Sequence, residues 1–354
     1  MITIAQRLNK TKKKIAPKRF HKQSSKKRRT ALKRPLGLNT YRQKLLEQAA
    51  VSFNQGFDAG YDEAMRKSAQ AAVPALIRKE RFSGSEDEYK RGLYDGGDGI
   101  VDALLPESDI LPELSIGQII EAGVRELHSH RYPLLSATDV AGQIKSALDS
   151  RQPLSVVRLG DGELITLAQE VIMNEEQVRK EGHFLSYAGI HIPDLAARDQ
   201  LVKAVEKADI VGIPKLRLPN FQPLAFAVLK AHGIDYRKLQ LTQSTINYSL
   251  YLEGYLRSIL AGRRVLVIGN TAPGLSQVLS GSGIHVTGVI APVHGMLDIP
   301  RVMNELSVHE FDIALVGAGI PAVIIVQRIA TELGKVAIDF GHLADSFVKG
   351  EAVL

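Results

Sequence analysis

The stretch Ser155-Val156-Val157-Arg158-Leu159-Gly160-Asp161-Gly162-Glu163-Leu164 decides how the chain is read. An apolar run ends on an arginine, passes through a glycine-rich acidic turn, and enters a helical pattern over Leu164 to Ile172. A run that is apolar on both sides of the pleat is a strand buried on both faces, and such strands belong to parallel sheets. The same texture recurs at Asp209 to Ile213, Arg264 to Ile268, Ile284 to Ile290, Asp312 to Val316 and Lys335 to Ile338. Helical stretches separate most of these runs: Ala137 to Leu148, Asp194 to Ala208, Leu250 to Leu260 and Ala322 to Leu333. Strands alternating with helices predict an α/β architecture, a Rossmann-like and mostly parallel sheet flanked by helices. Ligands of such sheets bind at the carboxyl ends of the strands.

Upstream of that region the chain is of a different kind. Residues 1–44 hold 16 Lys and Arg and no Asp or Glu, whereas the whole chain of 354 residues has a net charge of +7. The rest is therefore acidic, with 29 basic against 38 acidic residues, and the overall basicity says nothing about the folded part. A segment so charged and so poor in large apolar side chains is expected to be a disordered tail that seeks polyanions, either an anionic polymer or a membrane surface. From 45 to 111 we expect a helical segment and a linker. Leu45, Leu46, Ala49, Phe53, Phe57 and Tyr61 recur at helical steps, and Pro106 and Pro112 punctuate its end. The α/β domain is expected to occupy 112–354. With no cysteine, a disulfide framework, a thiol nucleophile and an iron–sulfur cluster are excluded. No signal peptide or membrane-spanning stretch is recognisable, so a cytoplasmic protein is expected, peripheral to the inner membrane face if its tail docks there.

Four strand ends carry residues with chemistry. Asp161 and Glu163, one glycine apart on a tight turn, either form an ordinary acidic turn or face a single hard cation, with Gly160 and Gly162 letting backbone and ligand approach. Arg158 has the fork geometry that suits a diphosphate. Gly269-Asn270-Thr271 opens a short helix and could turn backbone N–H groups toward phosphate. Gly317-Ala318-Gly319-Ile320-Pro321-Ala322 fits the spacing of a dinucleotide-binding turn, with Asp339 placed roughly where a ribose-binding acid belongs. Last comes Asp339-Phe340-Gly341-His342, where the histidine could join a metal shell or contact phosphate.

Taken in order, Val157 to Leu164, the turn at Gly317 to Ala322 and the closing Ala337-Ile338-Asp339-Phe340-Gly341-His342 resemble the GT-D-type glycosyltransferases. The resemblance spans roughly Leu135 to Phe347, and its most specific elements are Arg158 to Glu163 and the stretch ending in His342. It implies metal-dependent transfer of a sugar from a nucleoside-diphosphate sugar to a glycan or glycoconjugate acceptor, with inversion. The family's DxE motif would fall on Asp161 and Glu163. Asp161, Glu163, Asp339 and His342 are then the expected catalytic residues, with Asp161, Glu163 and His342 on the metal. Arg158, Gly160, Gly162, Gly269, Asn270, Thr271, Gly317 and Gly319 are expected to meet the substrate. An inverting displacement also needs a base, for which Asp298, Asp339 and Glu351 are candidates. Two other functions compete: an NAD(P)-dependent oxidoreductase using Gly317 to Ala322, and a non-catalytic adaptor that docks a polyanion through its tail.

Overall fold

A computed structural model describes residues 81–354. The basic tail and the helical repeat expected over residues 45–61 lie outside the described residues. Three helices come first: α1 (Arg81–Asp95), α2 (Asp98–Leu104) and α3 (Ile116–Glu126). No described residue of these three is buried. Ser115 caps α3 in a reciprocal box with Gln118, which satisfies two of the donors that a helix start leaves open.

The remaining chain builds one sheet of seven parallel strands in the order β3-β2-β1-β7-β6-β4-β5. After α4 (Ala137–Ser150) come β1 (Leu154–Arg158), α5 (Asp161–Ala168), α6 (Glu175–Glu181), α7 (Leu195–Lys207) and β2 (Ile210–Ile213). Next are α8 (Gln222–Ala231), β3 (Gln240–Gln243), α9 (Ile246–Leu252), α10 (Tyr255–Leu260), β4 (Val265–Gly269) and α11 (Ala272–Gly281). The series closes with β5 (Val286–Ile290), α12 (Ile299–Leu306), β6 (Ile313–Gly317), α13 (Pro321–Leu333), β7 (Val336–Asp339) and α14 (Leu343–Val348). The α/β expectation is met.

Two hydrophobic layers sandwich the sheet. One joins it to α5, α7, α8, α12 and α13, through residues such as Leu164, Leu201, Val228, Val302 and Ile325. The other joins it to α4, α9, α10, α11 and α14, through Ile144, Leu250, Ile259, Leu275 and Phe347. This division positions the functional site. Strand β1 sends its helix α5 to the first layer, whereas the neighbouring β7 sends α14 to the second. Where adjacent strands feed helices to opposite faces, the two loops part and leave a crevice at the carboxyl edge.

The structure adds to the expected elements in three places. Strand β3 was not anticipated, because Gln240-Leu241-Thr242-Gln243 is an edge strand with only Leu241 and Thr242 buried and so lacks the apolar run of its neighbours. The pattern over Leu250 to Leu260 is not one helix: Gly254, at φ 80°, adopts a left-handed conformation and divides it into α9 and α10. The acidic pair, expected on a turn ahead of a helix, instead occupies the first turn of the helix itself.

Candidate functional site

Helix α5 begins at Asp161, with Gly160 as its N-cap. A glycine has no side chain to satisfy the helix's open N–H groups, so the carboxylates of the first turn take over. Glu163 Oε2 accepts the Gly160 N–H at 2.8 Å, and Asp161 Oδ1 accepts the Gly162 N–H at 2.9 Å. Two acids in the first turn also suit the positive end of the helix dipole. Positions two apart on a helix do not face each other. Their side chains leave the helix in different directions, yet both sense His342, and Glu163 also senses Asp339 and Arg158.

Facing them is the end of β7. Arg158, the last residue of β1, crosses to it and donates from Nε to the Asp339 carbonyl at 3.0 Å and from Nη2 to Asp339 Oδ1 at 2.9 Å. Its Nη1 donates to the Ser244 carbonyl at 3.0 Å. The Asp339 side chain is only 5% exposed and that of Arg158 18%, so this is an ion pair largely removed from water. Asn247, at the start of α9, supports the same corner by donating to the Phe340 carbonyl at 2.8 Å. The guanidinium expected to meet a diphosphate thus has most of its donors committed within the protein. Asp339, in turn, is not free to hold a ribose diol, which removes the acid that a dinucleotide reading of Gly317 to Ala322 requires.

Three carboxylates and one guanidinium leave the corner rich in negative charge, and the protonation equilibria respond. Burial, reinforced by the negative charge of Asp339, pushes the Glu163 carboxyl up to about 7. Burial raises Asp161 too, against the Gly162 N–H and His342. Asp339 is lifted by burial and pulled back by Arg158. A divalent cation is the ligand class that would relieve such crowding. Among the described residues no three His, Asp or Glu side chains are arranged to hold a metal by themselves. The donor set fits a hard cation only in part: Asp161 and Glu163 each keep one carboxylate oxygen outside their capping bonds, and diphosphate oxygens and water would have to complete the shell.

Glu163 makes a pH prediction. Its folded pKa lies above the 4.5 of an ordinary glutamate, so the folded state holds a proton that the unfolded chain has lost. Stability contributed below pH 4.5 is therefore lost as pH rises through about 7. Glu163→Gln keeps the cap and removes the titration. It should raise the stability of the metal-free protein at pH 8 by on the order of 2 kcal/mol while changing little at pH 4.5. Urea titrations at the two pH values test this; an equal effect at both would contradict the assignment.

His342 follows β7 as the N-cap residue of α14. Its Nδ1 lies 3.0 Å from Asp345 Oδ2, and its side chain is 86% exposed at the rim of the crevice. The bond to Asp345 raises its pKa above the usual histidine value. On the other side of β7, Gly317 ends β6 next to Gly341: a Cβ on Gly317 would stand 3.5 Å from the Gly341 carbonyl oxygen. Gly319 is exposed in the loop beyond. Gly269 is paired with Gly317 across β4 and β6. Asn270 turns away from the crevice, its Oδ1 accepting the Val293 N–H at 2.8 Å, and Thr271 precedes α11 as its N-cap.

Arg158, Gly160, Asp161, Gly162, Glu163, Asp339 and His342 are thus brought to one corner, with Gly317 and Gly319 on the adjoining strand end. Asn270 serves a neighbouring loop. Ser244, Asn247 and Asp345 were missed by sequence reasoning. The first two follow the unanticipated β3, and Asp345 would have been found only from its three-residue spacing after His342 at a helix start. Among the described residues, no helix is long and apolar enough to cross a membrane.

Residues 135–347 match the GT-D fold-like domain family, well over half of the chain. A solved structure of a highly conserved domain of unknown function, described as having a distinct glycosyltransferase fold, is similar at a TM-score of 0.40 and 15% identity, covering 65% of this chain and 85% of that one. No curated protein matches the sequence.

Proposed function

Because the chain belongs to the GT-D fold-like domain family, we propose that it is a glycosyltransferase moving a sugar from a nucleoside-diphosphate sugar, UDP-linked in the first instance, to a glycan or glycoconjugate hydroxyl. The observation that carries this reading is the pair Asp161 and Glu163 in the first turn of α5, opposite Arg158 and Asp339, in the crevice between β1 and β7. Asp161 and Glu163 would hold a divalent cation, Mn2+ or Mg2+. When bound, that cation supplies Lewis-acid neutralisation of the charge that develops on a departing nucleoside diphosphate. The protein's own part is positioning. Glu163 is oriented by the Gly160 N–H and Asp161 by the Gly162 N–H, so neither carboxylate must be ordered when the donor arrives. Arg158 opposes the burial that lifts Asp339 and fixes the floor of the crevice. Helix α5, eight residues long, directs the positive end of its dipole at the same place. Inversion at the anomeric carbon would follow from a single displacement across this crevice. The basic tail, with its 16 positive charges, would bring the enzyme to an anionic acceptor or membrane surface.

Calorimetric titration of the full chain with UDP, with and without manganese, tests the donor assignment. Binding should require manganese and weaken at least tenfold in Asp161→Ala and in Glu163→Ala. Affinity that is indifferent to both manganese and the two substitutions would reject it.

A further inference from the structure

The crevice holds a second constellation, on the α14 side of the acidic pair. Asp345, three residues into α14, accepts a hydrogen bond from His342 Nδ1 at 3.0 Å. A carboxylate can only accept, so the proton of a neutral imidazole is drawn to Nδ1 and the lone pair is left on Nε2. Nε2 accepts no hydrogen bond from a described residue, and the side chain is 86% exposed. The charged groups that act on it are Asp345 from its own element, Arg158 from β1, and Asp161 and Glu163 from α5. These are the side chains that would surround the donor on the transferase reading.

The other carboxylates are spoken for. Asp339 is buried and tied to Arg158. Asp298 accepts the His294 N–H at 2.7 Å and lies 3.6 Å from Arg301, interactions that hold its pKa low and make it a poor acceptor of protons. Glu163 turns Oε2 back to its own helix start. Glu351 stands exposed beyond the end of α14.

Resting on the transferase reading above, we propose that His342 is the general base that takes the acceptor's proton, and that Asp345 is the positioning residue that fixes its tautomer. The step balances simply. The acceptor hydroxyl gives its proton to Nε2 as its oxygen bonds to the anomeric carbon. The carbon–oxygen bond to the diphosphate breaks, and its electron pair leaves with the nucleoside diphosphate. The imidazolium so formed is stabilised by Asp345 and returns its proton to solvent, which the exposure of the ring permits. On this assignment His342 is not a metal ligand, and the cation's protein ligands are the two carboxylates of α5.

Two measurements on the full chain test the role. In the first, 15N spectra of labelled histidine report the tautomer without any turnover: His342 should carry its proton on Nδ1 in the neutral form and lose that preference in Asp345→Asn. A neutral form protonated on Nε2 would overturn the proposal. In the second, manganese-dependent release of UDP is followed with UDP-glucose, UDP-galactose and UDP-N-acetylglucosamine, water serving as acceptor. His342→Ala should lower kcat roughly 10²- to 10⁴-fold and leave UDP affinity within about twofold, with added imidazole restoring part of the rate. Asp345→Asn should lower kcat in the same direction without raising KM. Unchanged kcat in His342→Ala overturns the base alone, while a wild-type chain that binds no UDP overturns the transferase reading and this role with it.

Discussion

Arg158→Ala should destabilise the folded protein by about 3–5 kcal/mol, the scale on which removing one partner of a buried ion pair is felt. The expected loss is large because Asp339 is left almost fully buried, with Glu163 adding negative charge beside it. The Ser244 carbonyl loses its donor in the same stroke. Arg158→Lys should recover less than half, since a point charge on a shorter stem cannot serve the Asp339 carbonyl, its carboxylate and the Ser244 carbonyl together. Asp339→Asn introduced into Arg158→Ala should recover much of the loss, because it removes the stranded charge. Urea unfolding at pH 7.5 measures all three, and a loss under about 1 kcal/mol for Arg158→Ala would show that the pair is not buried as described.

The second large effect is expected at Gly341. The Arg158 guanidinium lies against this glycine, which adopts φ 50°, and a Cβ built there would be driven into it. Left-handed backbone alone costs an alanine about 1–2 kcal/mol. Displacing the guanidinium adds the penalty of the broken pair, so Gly341→Ala should approach Arg158→Ala in stability loss and abolish manganese-dependent UDP binding. Gly319 provides the contrast. It has φ 60° with open space around the Cβ position, so Gly319→Ala should show the backbone cost only. Equal losses at the two glycines would mean that Arg158 moves aside without consequence.

Much of the architecture was legible because parallel strands buried on both faces must be apolar throughout. Val156, Val157, Ile210, Val211, Val265, Leu266, Leu315 and Ile338 announce their strands without reference to anything distant. Strand β3 was not legible for the converse reason. Gln240 and Gln243 face solvent at the edge, and the strand is recognised only through its pairing with β2 and through the bond from the Leu135 N–H to the Leu241 carbonyl. The site divides along the same line. Asp161, Glu163 and His342 stand out because glycines and acids at strand ends are unusual in an apolar texture. That Arg158 reaches Asp339, 181 residues away, is decided by β7 lying beside β1, and no local pattern carries that information. Nor does a spacing of two residues reveal whether two acids occupy a turn or the first turn of a helix. Gly160 made the turn plausible, yet as an N-cap it served equally well to start α5.

The strand order has a consequence for how the protein is made. Strands β1 to β3 form one half of the sheet and β4 to β6 the other, and β7 is the staple that enters between β1 and β6. At an elongation rate of about 5–20 residues per second, roughly 10 to 35 s separate synthesis of Arg158 from synthesis of Asp339. Only once β6 ends at Gly317, about 20 residues before Asp339, does the nascent chain hold both half-sheets, each with an open inner edge of buried-type residues: Val156 and Val157 on one, Ala314 and Leu315 on the other. Such edges pair readily with other chains. The corner that gathers the chemistry is therefore also the last seam to close during biosynthesis, and its guanidinium waits without its carboxylate until it does.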